Sequence, residues 1–244
     1  MPRFFIAGTN KVGGVAVISG ADADHIKVLR MKIGEKLVIC DGEGKEYDCR
    51  LTKLSDGYAE AEVCAEALSP AEPSVRCIVL AAFPKGDKAE LIVQKCTENG
   101  ASEIVFFPSK RCIARPDGRN IDKKVQRWQR IAEEAAKQSG RGIIPTVRAV
   151  SDYAAALDIA AKQDLKLFLY EAGERTPICT AVANQPEAKS CALITGPEGG
   201  FEPFEVELAQ KIGFTICSMG PRILRCETAP LVALTAVMCQ TGNL

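Results

Sequence analysis

Short runs of alternating apolar and polar residues mark the first part of the chain: Leu37 and Ile39, then Tyr47, Cys49 and Leu51. A period of two puts one face of each run against a core, so strands are predicted over 36–40, 46–54 and 58–65. Asp41-Gly42-Glu43-Gly44 supplies the turn between the first two. A short helix over 21–29 precedes them. Such strands in roughly 70 residues predict a small β-barrel, near the lower size limit for independent stability. Leu68-Ser69-Pro70-Ala71-Glu72-Pro73-Ser74 ends this region, because two prolines and small polar residues stop regular structure. The expected domains are therefore 1–72 and 73–244.

Beyond the linker, strands alternate with helices. An apolar strand over 75–83 leads to Asp87, placed to cap a helix, with Glu90 to complete a capping box and Gly100 to end it. A strand follows over 103–108. Ile121, Val125, Trp128, Ala132 and Ala135 then recur with a helical period, predicting a long helix over 121–139 stopped by Gly140. Lys123, Arg127, Arg130 and Lys137 make a basic stripe on another of its faces. A helix from Ser151, strands over 165–170 and 190–195, a helix over 203–212, a strand over 214–218 and a helix over 228–240 complete the series. This order predicts a parallel α/β sheet with ligands at the carboxyl ends of its strands.

Composition narrows the class. No apolar run approaches the ~18 residues of a membrane span, and Met1-Pro2-Arg3-Phe4-Phe5-Ile6-Ala7-Gly8 has no signal-peptide architecture. A cytoplasmic location is predicted. The eleven cysteines include no Cys-x-x-Cys, and His25 is the one histidine. Neither a metal site nor a disulfide scaffold suits that spacing, and the cysteines read as reduced core residues. Net charge is zero, which argues against a general nucleic-acid coat protein. Between Lys110 and Arg148, however, eleven basic residues, Arg115 and Arg119 among them, face four acidic ones. That concentration suits a local polyanion contact.

Two loops carry the candidate chemistry. The strand ending at Thr195 runs into Gly196-Pro197-Glu198-Gly199-Gly200-Phe201 before Pro203 opens a helix. Three glycines in five positions permit positive φ and close approach to a ligand, although a tight strand–helix turn would use them as well. No Gly-Lys-Ser/Thr follows, and the spacing is not Gly-x-Gly-x-x-Gly. A ligand without phosphates, held by backbone groups, fits better. The second loop, Met219-Gly220-Pro221-Arg222-Ile223-Leu224-Arg225-Cys226-Glu227-Thr228, ends at a helix N-terminus. It reads as an anion site or, about equally, as a solvated loop with Thr228 as N-cap.

Both loops, with His25-Ile26-Lys27-Val28-Leu29-Arg30, Gln94-Lys95-Cys96-Thr97-Glu98 and the stretch from Arg127 to Arg141, resemble the RsmE family of knotted SPOUT methyltransferases. The resemblance covers nearly the whole chain. It implies a SPOUT trefoil-knot domain with a parallel sheet, preceded by a small PUA-like β-barrel domain. It also implies methylation of N3 of a uridine in 16S ribosomal RNA, with S-adenosylmethionine as donor and no metal. The small ribosomal subunit or its RNA is the implied partner, and a homodimer sharing its pocket the implied assembly. Thr195, Gly196, Pro197, Glu198, Gly199, Gly200, Met219, Gly220, Arg222, Ile223 and Leu224 are then expected around the donor. Arg225 is the candidate for charge stabilisation, and Glu227 is a candidate base or, equally, a structural cap partner. His25, Arg30, Arg111, Lys123, Arg127, Arg130 and Arg141 are the expected RNA contacts. Asn99 departs from the leucine usual in relatives, and Cys226 is given no catalytic role. Asn99-Gly100-Ala101-Ser102-Glu103 lacks the arginine of the ribose-methylating branch, which favours a base as target. The alternative is a non-catalytic RNA-binding assembly factor that keeps the donor-binding fold. An α/β protein for another nucleotide lacks its phosphate fingerprint here.

Overall fold

The computed structural model of the chain describes residues 1–6, 11–12, 14–113 and 118–244. Arg115 of the basic run lies outside the described residues, as does the side chain of Arg119. The chain forms two compact units, Met1–Glu72 with Ala136–Ile144, and Pro73–Ala135 with Pro145–Leu244. The first thus takes in a segment distant in sequence, which two contiguous stretches of chain do not anticipate.

In the first unit, β1 (Arg3–Phe5), β2 (Lys11–Val12), β3 (Val15–Ser19), β4 (Lys36–Cys40), β5 (Lys45–Ser55) and β6 (Tyr58–Leu68) form one sheet in the order β1-β4-β5-β6-β3-β2. Tyr47, Cys49 and Leu51 of β5 point inward, as their alternation predicts. Register shifts between β5 and β6 bend the long hairpin, so the sheet curls around Phe4, Ile18, Ile26, Leu37, Ile39 and Leu51. Among the described residues β1 and β2 remain its edges. Helix α1 (Ala21–Val28) contributes Ile26 to that core. β4 breaks the alternation, because Val38 and Cys40 are buried too. Cys40 is covered by Arg3, whose guanidinium donates to Sγ at 2.9 Å, and by residues 136–144, where its thiol reaches the Arg141 carbonyl at 3.9 Å.

The second unit is a sheet of seven strands, every pairing parallel. Its order is β11 (Thr176–Pro177), β13 (Thr215–Ser218), β10 (Leu165–Leu169), β12 (Ser190–Thr195), β7 (Arg76–Ala82), β8 (Glu103–Phe107), β9 (Thr146–Ala149). β8 is buried at every position and β7 and β12 nearly so, as befits strands covered on both faces. The helices are α2 (Lys88–Glu98), α3 (Gly118–Ser139), α4 (Tyr153–Ala160), α5 (Ile178–Ala183), α6 (Pro203–Lys211) and α7 (Ala229–Gln240). α7 packs back on α2, α5, β7 and β12. Trp128, Ala132 and Ala135 form the buried stripe of α3, and Trp128 lies 4.5 Å from the Phe106 ring centre.

Local details differ from expectation. Asp87 occupies the N-cap of α2, yet the Asp87–Glu90 capping box does not form, because the Glu90 carboxylate pairs with Arg127 at 2.9 Å. Gly100 ends α2 with φ +92°, and a Cβ there would meet Pro73 at 2.6 Å. Asn99 donates its amide to the Thr235 hydroxyl on α7 at 2.8 Å, so its side chain has a polar partner. All eleven cysteines are free thiols; eight are buried, while Cys64, Cys179 and Cys239 are exposed. No helix among the described residues is long and apolar enough to cross a membrane.

Candidate active site

The carboxyl ends of β10, β12 and β13 meet around a cavity of about 660 Å³. Both candidate loops line it, together with Lys88 of α2 and Glu171 and Arg175 after β10. That volume suits a small-molecule site, and its place at strand ends is where open α/β sheets bind ligands.

Thr195, the last residue of β12, is 1% exposed, and its Oγ1 has no hydrogen-bond partner among the described residues. A buried hydroxyl without a partner is costly, so its place in a cavity wall points to a bound molecule's polar group. Phe201 anchors the loop that follows, fully buried and 4.5 Å from the Phe168 ring centre. The three glycines answer to different constraints. Gly200 has φ +68°, and a Cβ there would meet Glu171 Oε1 at 2.7 Å. Gly196 and Gly199 lie outside the left-handed region; a Cβ would meet the Phe201 ring at 3.0 Å in the first and Arg111 at 3.2 Å in the second. Positive φ is thus needed at one position of the three, and close packing accounts for the others. The Glu202 N–H donates to the Glu205 carboxylate at 2.9 Å, starting α6 with an acidic variant of the capping box.

Arg111 joins this loop. Its Nε donates to Glu202 at 2.9 Å and its Nη1 to the Gly199 carbonyl at 3.1 Å, while the Lys110 N–H donates to Glu205 at 3.0 Å. The guanidinium expected to meet RNA therefore fastens the glycine loop.

In the second loop Arg222, Ile223 and Arg225 are exposed at the cavity, and Arg225 makes no side-chain ion pair among the described residues. The Arg225 carbonyl accepts from the N–H groups of Thr228 and Ala229, each at 2.9 Å, and so winds the first turn of α7. The Thr228 side chain makes no cap bond.

Between the loops stands Lys88, a residue the sequence reading missed. Its ammonium donates to Glu198 at 2.8 Å and lies 3.3 Å from Glu227 and 3.7 Å from the Cys226 sulfur. Burial would raise the Glu198 carboxyl, but Lys88 and the N–H groups of Glu198 and Lys85 hold it at about 2. Glu227 also stays below the ordinary value despite burial, through its own N–H, the Cys226 thiol and Lys88. Burial first, then the Glu227 hydrogen bond, pushes the Cys226 thiol up to about 12, which leaves it a poor nucleophile. One signal for Lys88 was present: a lysine in the first turn of a helix opposes the macrodipole, so another partner must hold it.

The other expected RNA contacts divide between the units. In the first, His25 is exposed and meets Phe4 edge-on, with ring centres 6.0 Å apart, and Arg30 is exposed with φ +54°. Arg141 is buried there, its guanidinium 2.7 Å from Glu72. It belongs to no exposed basic surface. In the second, Lys123 and Arg130 are exposed, and Arg127 is paired with Glu90. Lys137, at the other end of the expected stripe, is tied to Asp22 at 2.7 Å within the first unit.

Residues 71–238 match the family model described as an RNA methyltransferase domain, and residues 18–64 that of an RNA methyltransferase PUA domain. The chain is 36% identical to the ribosomal RNA small subunit methyltransferase E of Bacillus subtilis, covering 99% of this chain and 97% of that protein. It is 33% identical to the Mycobacterium bovis protein of the same name, over 98% of this chain and 92% of that one. The crystal structure of the Neisseria gonorrhoeae ribosomal RNA small subunit methyltransferase E bound to S-adenosylmethionine superposes with a TM-score of 0.85 at 31% identity. That match covers 98% of this chain and 97% of the other. A parallel α/β sheet preceded by a PUA-like domain is the arrangement that the resemblance implied. With both domains matched and the cavity formed where both loops meet, this chain belongs to the RsmE family of small-subunit ribosomal RNA methyltransferases.

Proposed function

We propose that this chain transfers the methyl group of S-adenosylmethionine to N3 of a uridine in 16S ribosomal RNA. The observation that carries the reading is the single cavity in which the glycine loop, the buried Thr195 hydroxyl and the exposed Arg225 converge. Residues 195–200 and 219–224 would hold the donor, which supplies an electrophilic methyl group. The cavity offers backbone groups and the Thr195 hydroxyl, and its glycine loop lacks the Gly-Lys-Ser/Thr of a phosphate loop, which fits a donor without phosphates.

The uracil imide is a weak acid, and its anion is the better nucleophile, so charge must be stabilised as the proton leaves. Arg225 has the charge, the exposure and the place for that. Glu227 is ion-paired and held below the usual carboxylate range, which suits a structural partner better than a base working near neutrality. Lys123 and Arg130, with His25 and Arg30 on the first unit, are proposed to meet the RNA largely through its backbone. A homodimer is proposed on the outer face of α7, where Val232 stays exposed, and on the exposed Leu91 of α2. A cytoplasmic location is proposed with this activity, because the small subunit and its RNA are found there.

The decisive experiment maps methylated bases by mass in 16S RNA from a strain lacking the gene. One uridine should lose its N3 methyl group, regained with the wild-type chain. Arg225→Ala should lower the single-turnover rate at saturating donor and RNA by about 10²-fold, as for loss of one preorganised donor to a developing anion. A fully methylated 16S RNA in the deletion strain overturns the reading, and a change confined to RNA affinity removes Arg225 from catalysis.

A further inference from the structure

Lys88 opens α2 and belongs to neither candidate loop, yet its ammonium reaches both. The groups facing it are Glu198 after β12, and Cys226 and Glu227 before α7. Lys85 takes part through its backbone N–H alone, which donates to Glu198 at 3.1 Å. The Cys226 thiol donates to Glu227 at 3.2 Å and closes the cluster. An isolated exposed ion pair contributes little. Here one cation stands between two partly buried carboxylates on separate segments, so removing it leaves like charges side by side.

We propose that Lys88 is a positioning residue for methyl transfer, a charge clamp that locks the glycine loop to the turn carrying Arg225. The inference rests on the function proposed above. Arg225 is held on one side by its carbonyl, which caps α7, and on the other by Cys226 and Glu227, which Lys88 fixes. Displacing such a group by about 1 Å can cost on the order of 10²-fold in rate. The clamp has a second effect. While Lys88 is present, both carboxylates are engaged as ions; without it, repulsion between them drives one carboxyl upward.

The test uses the full-length chain and 16S RNA, with single-turnover rates at saturating donor and RNA from about pH 5 to about pH 9. Lys88→Met should lose at least about tenfold in rate, with RNA affinity little changed, and its deficit against the wild type should shrink toward acid pH, as one carboxyl takes up a proton and the repulsion eases. Lys88→Arg keeps the charge and should retain most of the rate. Combined with Glu227→Gln, Lys88→Met should cost less than the product of the two separate losses, because both act on one turn. A wild-type rate and pH profile in Lys88→Met overturns the clamp. So do equal losses in the methionine and arginine variants, or strictly multiplicative losses in the double variant. If thermal melting shows Lys88→Met unfolded, Lys88→Gln, which also removes the charge, takes its place in the same cycle with Glu227→Gln. Calorimetry with S-adenosylmethionine alone separates the two ideas. An inactive wild type fails the function, whereas the clamp still requires weaker donor binding in Lys88→Met and recovery in Lys88→Arg.

Discussion

Arg30 sits in the left-handed backbone region at the end of α1, where its N–H donates to the Lys27 carbonyl at 2.9 Å and the Met31 N–H to that of Ile26 at 3.2 Å. Helices usually end this way on glycine, since a Cβ there costs roughly 1–2 kcal/mol. Arg30→Gly should therefore raise the melting temperature by a few degrees while weakening RNA binding. Calorimetric melting beside a titration with 16S RNA reads both, and a lower melting temperature would show that the turn stores no strain. Glu198 gives a signed expectation with pH. Its folded carboxyl titrates at about 2 against an ordinary 4.5, so its contribution to stability is complete above the ordinary value and lost as pH falls through about 2. Glu198→Gln should flatten the acid side of the melting profile across that window. Residue identity in the site was legible as far as the Gly196–Phe201 and Met219–Thr228 stretches. Which glycine needs positive φ was not, because Gly196 and Gly199 are set by Phe201 and Arg111, neighbours that only the fold supplies.

Periodicity made α3 readable, since its buried stripe needs only the chain's own spacing. Its charged face is less uniform than the sequence suggests. Arg127 is engaged by Glu90 from α2, whereas Lys123 and Arg130 remain exposed. Arg130→Ala should lower the slope of log affinity against log salt by about one. Arg127→Ala should lower it less, because that arginine must first leave its carboxylate. Equal slopes for the two would mean that the Glu90 pair does not persist in the RNA complex. The same pairing explains why the Asp87–Glu90 capping box is absent: a side chain satisfied across two helices is unavailable to its own N-terminus. β9 and α5 were not legible, since four and six residues are too few to establish a period.

At the scale of the molecule, the first unit is completed by a segment from the middle of the sequence. Glu72 receives Arg141 at 2.7 Å and the N–H groups of Gly142 and Ile143 at 2.9 and 3.0 Å, and a Cβ at Gly142 would strike Ser69 at 2.5 Å. No local pattern announces a partnership across such a distance, and the linker composition at 68–74 suggested a clean cut instead. Arg141→Met leaves Glu72 a nearly buried carboxylate without its cation, at a cost of about 3–5 kcal/mol. Denaturant unfolding that changes by less than a third of this would make the pair dispensable. By the same logic a fragment of residues 1–72 should be less stable than the unit it was cut from, and one of residues 74–244 should expose the stranded segment. The arrangement also sets a clock. A chain emerging at roughly 5–20 residues per second presents Glu72 several seconds before Arg141 exists, so the first unit is begun long before it can be finished, at Ile144. For that interval the Cys40 side of its sheet stands bare, and a nascent chain stalled there is the form most open to proteolysis.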